Sequence, residues 1–228
     1  MARKLFFNRD KAEDMSVLRP PEIHFQKYLG SKVPPWLETY HLTLMTIPFA
    51  FAVPLFGFLA RSNIQWMWGV SLMIVFQYFT DLVDGEVGRQ RNTGLIKWGY
   101  FMDHFLDYCF TCAVLAAYGF VLPLTFAHEP AILFVVAIGF LVNTILAFAA
   151  TGEFRMSVLG IGPTECRIGF ILFNAALIFP GRDVMLTIIP YATVIFTCGL
   201  IYIVYRTQRQ LWRMDMDAKR ARERNQSH

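Results

Sequence analysis

DLVDGEVGRQRNTGLIKWGYFMDHFLDY, residues 81–108, carries four carboxylates inside or against apolar helical sequence: Asp81, Asp84, Asp103 and Asp107. A charged side chain at bilayer depth costs roughly 2.5–3.5 kcal/mol even on the lenient insertion scale, so four in one hairpin need partners such as metal ions. The rest of the chain says that its solvent is lipid. Of 228 residues, 55% are hydrophobic and 16% aromatic, and mean hydropathy is +0.41. That is too apolar for a domain that must present a charged surface to water.

Working outward from the hairpin, uncharged runs long enough to cross ~30 Å of hydrocarbon as helix extend over Thr39 to Ala60, Ser62 to Thr80, Tyr108 to Ala127, Pro130 to Gly152 and Val184 to Tyr205. Ile168 to Gly181 is short, but a helix starting near Pro163 would reach across. The expected fold is therefore an all-α integral membrane protein with six transmembrane helices. Pro21 and Gly30 bracket EIHFQKYLG as the start and stop of a further, interfacial amphipathic helix. The expected organisation is an N-terminal arm over 1–38, a six-helix catalytic domain over 39–205 and a basic tail over 206–228, read as a helix leaving the bilayer.

Orientation follows from Lys and Arg, which stay in the cytoplasm. Both termini and the second and fourth loops fall inside, leaving only Arg61 and Arg182 of the twenty-one positive residues outside. These flanks account for the net charge of +4 and are suited to attract anionic membrane lipids, so no nucleic-acid partner is expected. No apolar stretch followed by a cleavage site opens the chain, and no cleaved signal is expected. Cys109 and Cys112 form a CxxC within an apolar span and read as ordinary buried cysteines.

On helices, Asp81 and Asp84 stand at i, i+3 and Asp103 and Asp107 at i, i+4, so each pair projects from one face. Two facing helices make an oxygen-ligand cluster suited to a hard divalent cation, which also bridges substrate phosphates. Gly85 and Gly88 follow Asp81 on the same face and let a ligand approach bare backbone. Arg89 and Arg91 come next and are placed to meet phosphates. Intramembrane acids also serve transporters and ion pathways, the reading from another class.

DLVDGEVGR followed by GYFMDHFLD resembles the signature of the CDP-alcohol phosphatidyltransferases, D-x2-D-G-x2-A-R and then G-x3-D-x3-D. Gly88 stands where Ala is usual, and the spacer from Arg89 to Gly99 is one residue longer than the common pattern, so either Arg89 or Arg91 fills the arginine position. The resemblance implies that Asp81, Asp84 and Asp103 hold two Mg²⁺ or Mn²⁺ ions, with Asp107 as ligand or catalytic base. It implies that Gly85, Gly88 and Arg89 line the CDP site, that Gly99 permits close packing, and that the protein is a homodimer. The implied reaction is attack by an acceptor hydroxyl on the phosphorus of a CDP-alcohol, releasing CMP in phospholipid biosynthesis, at the cytosolic face and, in a prokaryote, of the cell membrane.

DHFLD, with His104 after Asp103, and GPTE, ending in Glu165, are similar to the choline and ethanolamine phosphotransferases, in which a Glu-polarised His is the base. That subgroup implies a CDP-aminoalcohol donor and a diacylglycerol-type acceptor. LETYHLT lacks the Asn common near the start of the first span, and the chain is shorter than the eukaryotic members. The alternative within the family is a CDP-diacylglycerol donor and a small polar alcohol acceptor.

Overall fold

Lipid cannot hydrogen-bond exposed peptide groups, so apolar runs of this length must satisfy their backbone internally as helix. A computed structural model describes residues 19–91, 96–126, 128–151, 163–180 and 182–226. Among these residues there is no strand. The helices are α1 (Arg19–Gly30), α2 (Thr39–Leu44), α3 (Thr46–Leu59), α4 (Met67–Arg91), α5 (Ile96–Val121), α6 (His128–Thr151), α7 (Pro163–Ile178) and α8 (Arg182–Gln226), with short 3₁₀ turns at Ile64–Trp66 and Leu124–Phe126.

Five of these units are long and apolar enough to cross a membrane: α2 with α3, α4 with its preceding turn, α5, α6 and α8. The chain is an all-α integral membrane protein. The sixth expected helix starts at Pro163, where proline's missing N–H costs nothing. At 16 residues it is about 24 Å long, shorter than the hydrocarbon core. The first span differs from the uninterrupted helix expected over Thr39 to Ala60. It breaks at Met45, because Pro48 has no N–H to give the Leu44 carbonyl and is tolerated only in the first turn of a new helix.

α4 is the hub, packing on α1, α2, α3 and α7. α3 also packs on α5, so α4 and α5 scarcely touch, and α6 lies against α5 and α8. Val53, Val70, Ile74 and Val114 fill the common core with no exposed surface. Gly57 makes the α3–α5 crossing close: a Cβ there would stand 2.6 Å from the Ala117 Cα. Deeper polar residues pair between helices. Asn174 Nδ2 donates to Ser71 Oγ at 3.0 Å, and Thr193 Oγ1 donates to Glu129 Oε2. Large apolar side chains on the outer faces of α6 and α8, among them Val135, Leu146 and Ile195, are exposed, as a lipid-facing surface requires.

Candidate active site

The acidic motif is divided between two helices. α4 runs through Asp81, Asp84 and both glycines to Arg91, and α5 brings Asp103 and Asp107 opposite. One carboxylate oxygen from each of Asp81, Asp103 and Asp107 falls within a sphere of 4.8 Å, all three side chains being half-buried. Asp84 lies one turn further along α4, buried, and its Oδ2 accepts from Thr43 Oγ1 of α2 at 2.9 Å. The structure therefore gathers three of the four acids around one point and anchors the fourth to the first span.

Two further side chains hold the triad. Arg167 of α7 reaches in, with Nη2 at 2.7 Å from Asp81 Oδ2 and 3.4 Å from Asp107 Oδ1. Gln77, one turn before Asp81, donates from Nε2 to Asp107 Oδ1 at 2.8 Å. Neither role is among the expectations from sequence. Gln77 does carry a signal, being a polar residue within an uncharged run and four positions before Asp81 on the same helical face. Arg167 suggests by its position only a pairing with nearby Glu165. Thr43 carries no signal, since a threonine inside an apolar span usually bonds its own helix, as Thr43 also does with the Thr39 carbonyl.

His104 leaves α5 about a quarter-turn from the triad and packs on Tyr100, with ring centroids 4.4 Å apart and the planes tilted by 35°. Its Nδ1 lies 2.7 Å from the Tyr100 carbonyl and 3.7 Å from Asp103 Oδ2. A carbonyl only accepts, so Nδ1 carries the hydrogen of that bond and the lone pair of the neutral ring sits on Nε2. The atom at which a carboxylate would orient the ring is thus held by backbone. Glu165 lies half-buried in the first turn of α7, two residues before Arg167 and so on a different face of that helix.

Gly85 and Gly88 are half-buried on α4 beside the triad. The two arginines separate cleanly. Arg91 is spent on structure, its Nη1 donating to the Leu37 carbonyl at 2.7 Å and its Nη2 to those of Val33 and Pro34 at 3.0 Å. Arg89 is half-exposed and held by its Nε, 3.1 Å from Glu86 Oε2. Gly99 departs from the expected close packing: a Cβ there would meet nothing within 4 Å among the described residues.

Beside the triad a cavity of about 350 Å³ opens between α1, α4 and α7, lined by Ile74, Val75, Ile168 and Ile171 below and by Tyr78 and Arg167 above. Thr164 Oγ1 donates to Glu22 Oε1 at 2.8 Å across its mouth, joining α7 to α1. The donor set of the triad fits a divalent cation: hard carboxylate oxygens converging from two rigid helices, next to bare glycine backbone.

No curated protein and no solved structure matches the chain significantly. The family profile described as CDP-alcohol phosphatidyltransferase matches residues 41–203, which takes in α3 to α7, most of α2, the apolar part of α8 and every side chain of the triad. With most of its length covered and the acidic motif assembled at one point, the chain belongs to the CDP-alcohol phosphatidyltransferase family.

Proposed function

We propose that the protein is a metal-dependent phosphotransferase that moves the phospho-aminoalcohol group of a CDP-aminoalcohol to a diacylglycerol-type hydroxyl, releasing CMP. Family membership supplies the CDP-alcohol chemistry and its place in phospholipid synthesis. The observation that carries the metal-dependent reading is the convergence of Asp81, Asp103 and Asp107 within 4.8 Å. Three carboxylates crowded into low dielectric repel one another unless cations sit among them. An ion pathway would have no use for Gly85 and Gly88 beside Arg89.

In this reading Asp81, Asp103 and Asp107, with Asp84 completing the set, hold Mg²⁺ or Mn²⁺. Two ions accord with four carboxylates. The metal neutralises the diphosphate and the departing CMP when bound. Gly85 and Gly88 let the CDP backbone lie close to α4, and Arg89 exchanges part of its contact with Glu86 for a phosphate. The acceptor oxygen forms the new bond to phosphorus, the bond from phosphorus to the CMP oxygen breaks, and the hydroxyl proton passes to His104 Nε2. The Tyr100 carbonyl orients the imidazole by its bond at Nδ1. Glu165 is assigned to stabilise the imidazolium formed, and Asp107 is the rival base. The site faces the cytosol, where a soluble nucleotide reaches it, and the working unit is a homodimer.

Incubation of the purified protein with Mg²⁺, diacylglycerol and CDP-choline or CDP-ethanolamine should release CMP, and excess chelator should stop it. Release only with CDP-diacylglycerol and a small polar alcohol would assign the alternative donor. Turnover undiminished in chelator would remove the metal.

A further inference from the structure

Gln77 is only 1% exposed, in the apolar interior of α4. A buried primary amide carries two donors and two acceptor lone pairs, and leaving them unpaired costs free energy. Of these, Nε2 is used on Asp107 Oδ1, while Oε1 is buried with no hydrogen-bond partner among the described residues. The orientation of the amide is not arbitrary, because a carboxylate oxygen accepts and only the nitrogen can donate to it. Hydrogen bonds between membrane helices contribute little to stability on average, which gives the fold little reason to hold a glutamine here. Methionine would fill nearly the same volume with no unmet polar atom.

We propose that Gln77 is a positioning residue of the phosphotransfer site, acting through Asp107. The inference rests on the metal-dependent reading above. Gln77 and Arg167 both bond Asp107 at Oδ1, which leaves Oδ2 outside both bonds and fixes the carboxylate's rotation. An Asp at a helix surface otherwise rotates freely about its terminal torsion, and a metal ligand so unfixed loses affinity. Thr43 does for Asp84 what Gln77 does for Asp107, in each case from a neighbouring helix.

The test is Mn²⁺ binding measured by electron paramagnetic resonance on the purified full chain, with thermal unfolding measured in parallel. Loss of a bond that orients a metal ligand typically lowers affinity 10- to 100-fold, so Gln77→Met should weaken Mn²⁺ binding by about that factor while its melting temperature holds or rises. In an Asp107→Asn background the same substitution should cost nothing further, since residues acting as a unit are not additive. Unchanged Mn²⁺ affinity in Gln77→Met, or equal losses in both backgrounds, would overturn the proposal while leaving the metal site intact. A lowered melting temperature with unchanged affinity would make Gln77 merely structural. If the wild-type chain binds no Mn²⁺, the metal-dependent reading itself fails, and Gln77 with it.

Discussion

At the scale of single residues, position within one helical turn decides what each charged group does. Arg89 and Arg91 are two residues apart, so they leave α4 on different sides; one meets solvent and Glu86, the other the carbonyls of the chain between α1 and α2. Arg89→Ala should therefore weaken CDP-alcohol affinity about tenfold or more, the scale of one charge-assisted contact at roughly 1.5–3 kcal/mol. Arg91→Ala should instead speed proteolysis near residues 33–37 with a smaller effect on affinity, and the opposite ranking would show that Arg91 is the phosphate ligand. For the base, His104→Ala should lower turnover by roughly 10²–10⁴ while donor affinity survives. Adding Glu165→Gln to it should cost little more. Near-normal turnover in His104→Ala, with none in Asp107→Asn, would transfer the role of base to Asp107.

At the scale of elements, the sequence discloses what depends on composition and spacing and hides what depends on packing. Apolar runs and proline positions locate the helices, including the start of α7 at Pro163, because helix in lipid is compelled by backbone hydrogen bonding alone. The spacing of the acids likewise puts Asp81 with Asp84 on α4 and Asp103 with Asp107 on α5, but that Asp81 joins the triad while Asp84 turns to Thr43 is decided by packing. Arg167, Gln77 and Thr43 join it through contacts between helices, and no local rule sets which side chain of α7 or α2 faces α4. The split at Met45 has its cause in Pro48, a residue that an apolar run alone presents as nothing more than a tolerated kink. Gly57 shows the reverse case, a plain residue whose importance appears only at the crossing of α3 with α5. Gly57→Leu should destabilise the bundle by about 1–3 kcal/mol or more through overpacking, read as a fall in melting temperature in detergent. An unchanged melting temperature would mean that α3 and α5 separate without cost.

At the scale of the whole molecule, the number of crossings fixes where the chain ends lie. If α7 spans the bilayer despite its 16 residues, there are six crossings and both termini share a side; if it does not, they lie on opposite sides. Epitope tags at the two ends should both be shielded from impermeant protease in intact cells and both be cut after permeabilisation. One tag cut in intact cells and the other not would reduce the crossings to five and reassign the orientation drawn from Lys and Arg. Because α8 returns to the end of the bundle where the triad sits, as its Thr207 contact with Asn143 of α6 shows, the polar part after Tyr205 projects beyond the same face as the aspartates. The helix is 45 residues, about 68 Å, against ~30 Å of hydrocarbon. Such a helix acts as a standoff. A post reaching roughly 30 Å past the bilayer keeps any second membrane or flat macromolecular surface from settling over the site, yet leaves ample room for a nucleotide to diffuse around it. In the proposed reading a water-borne donor would enter from above, and a lipidic acceptor would come sideways, through the leaflet the protein already occupies.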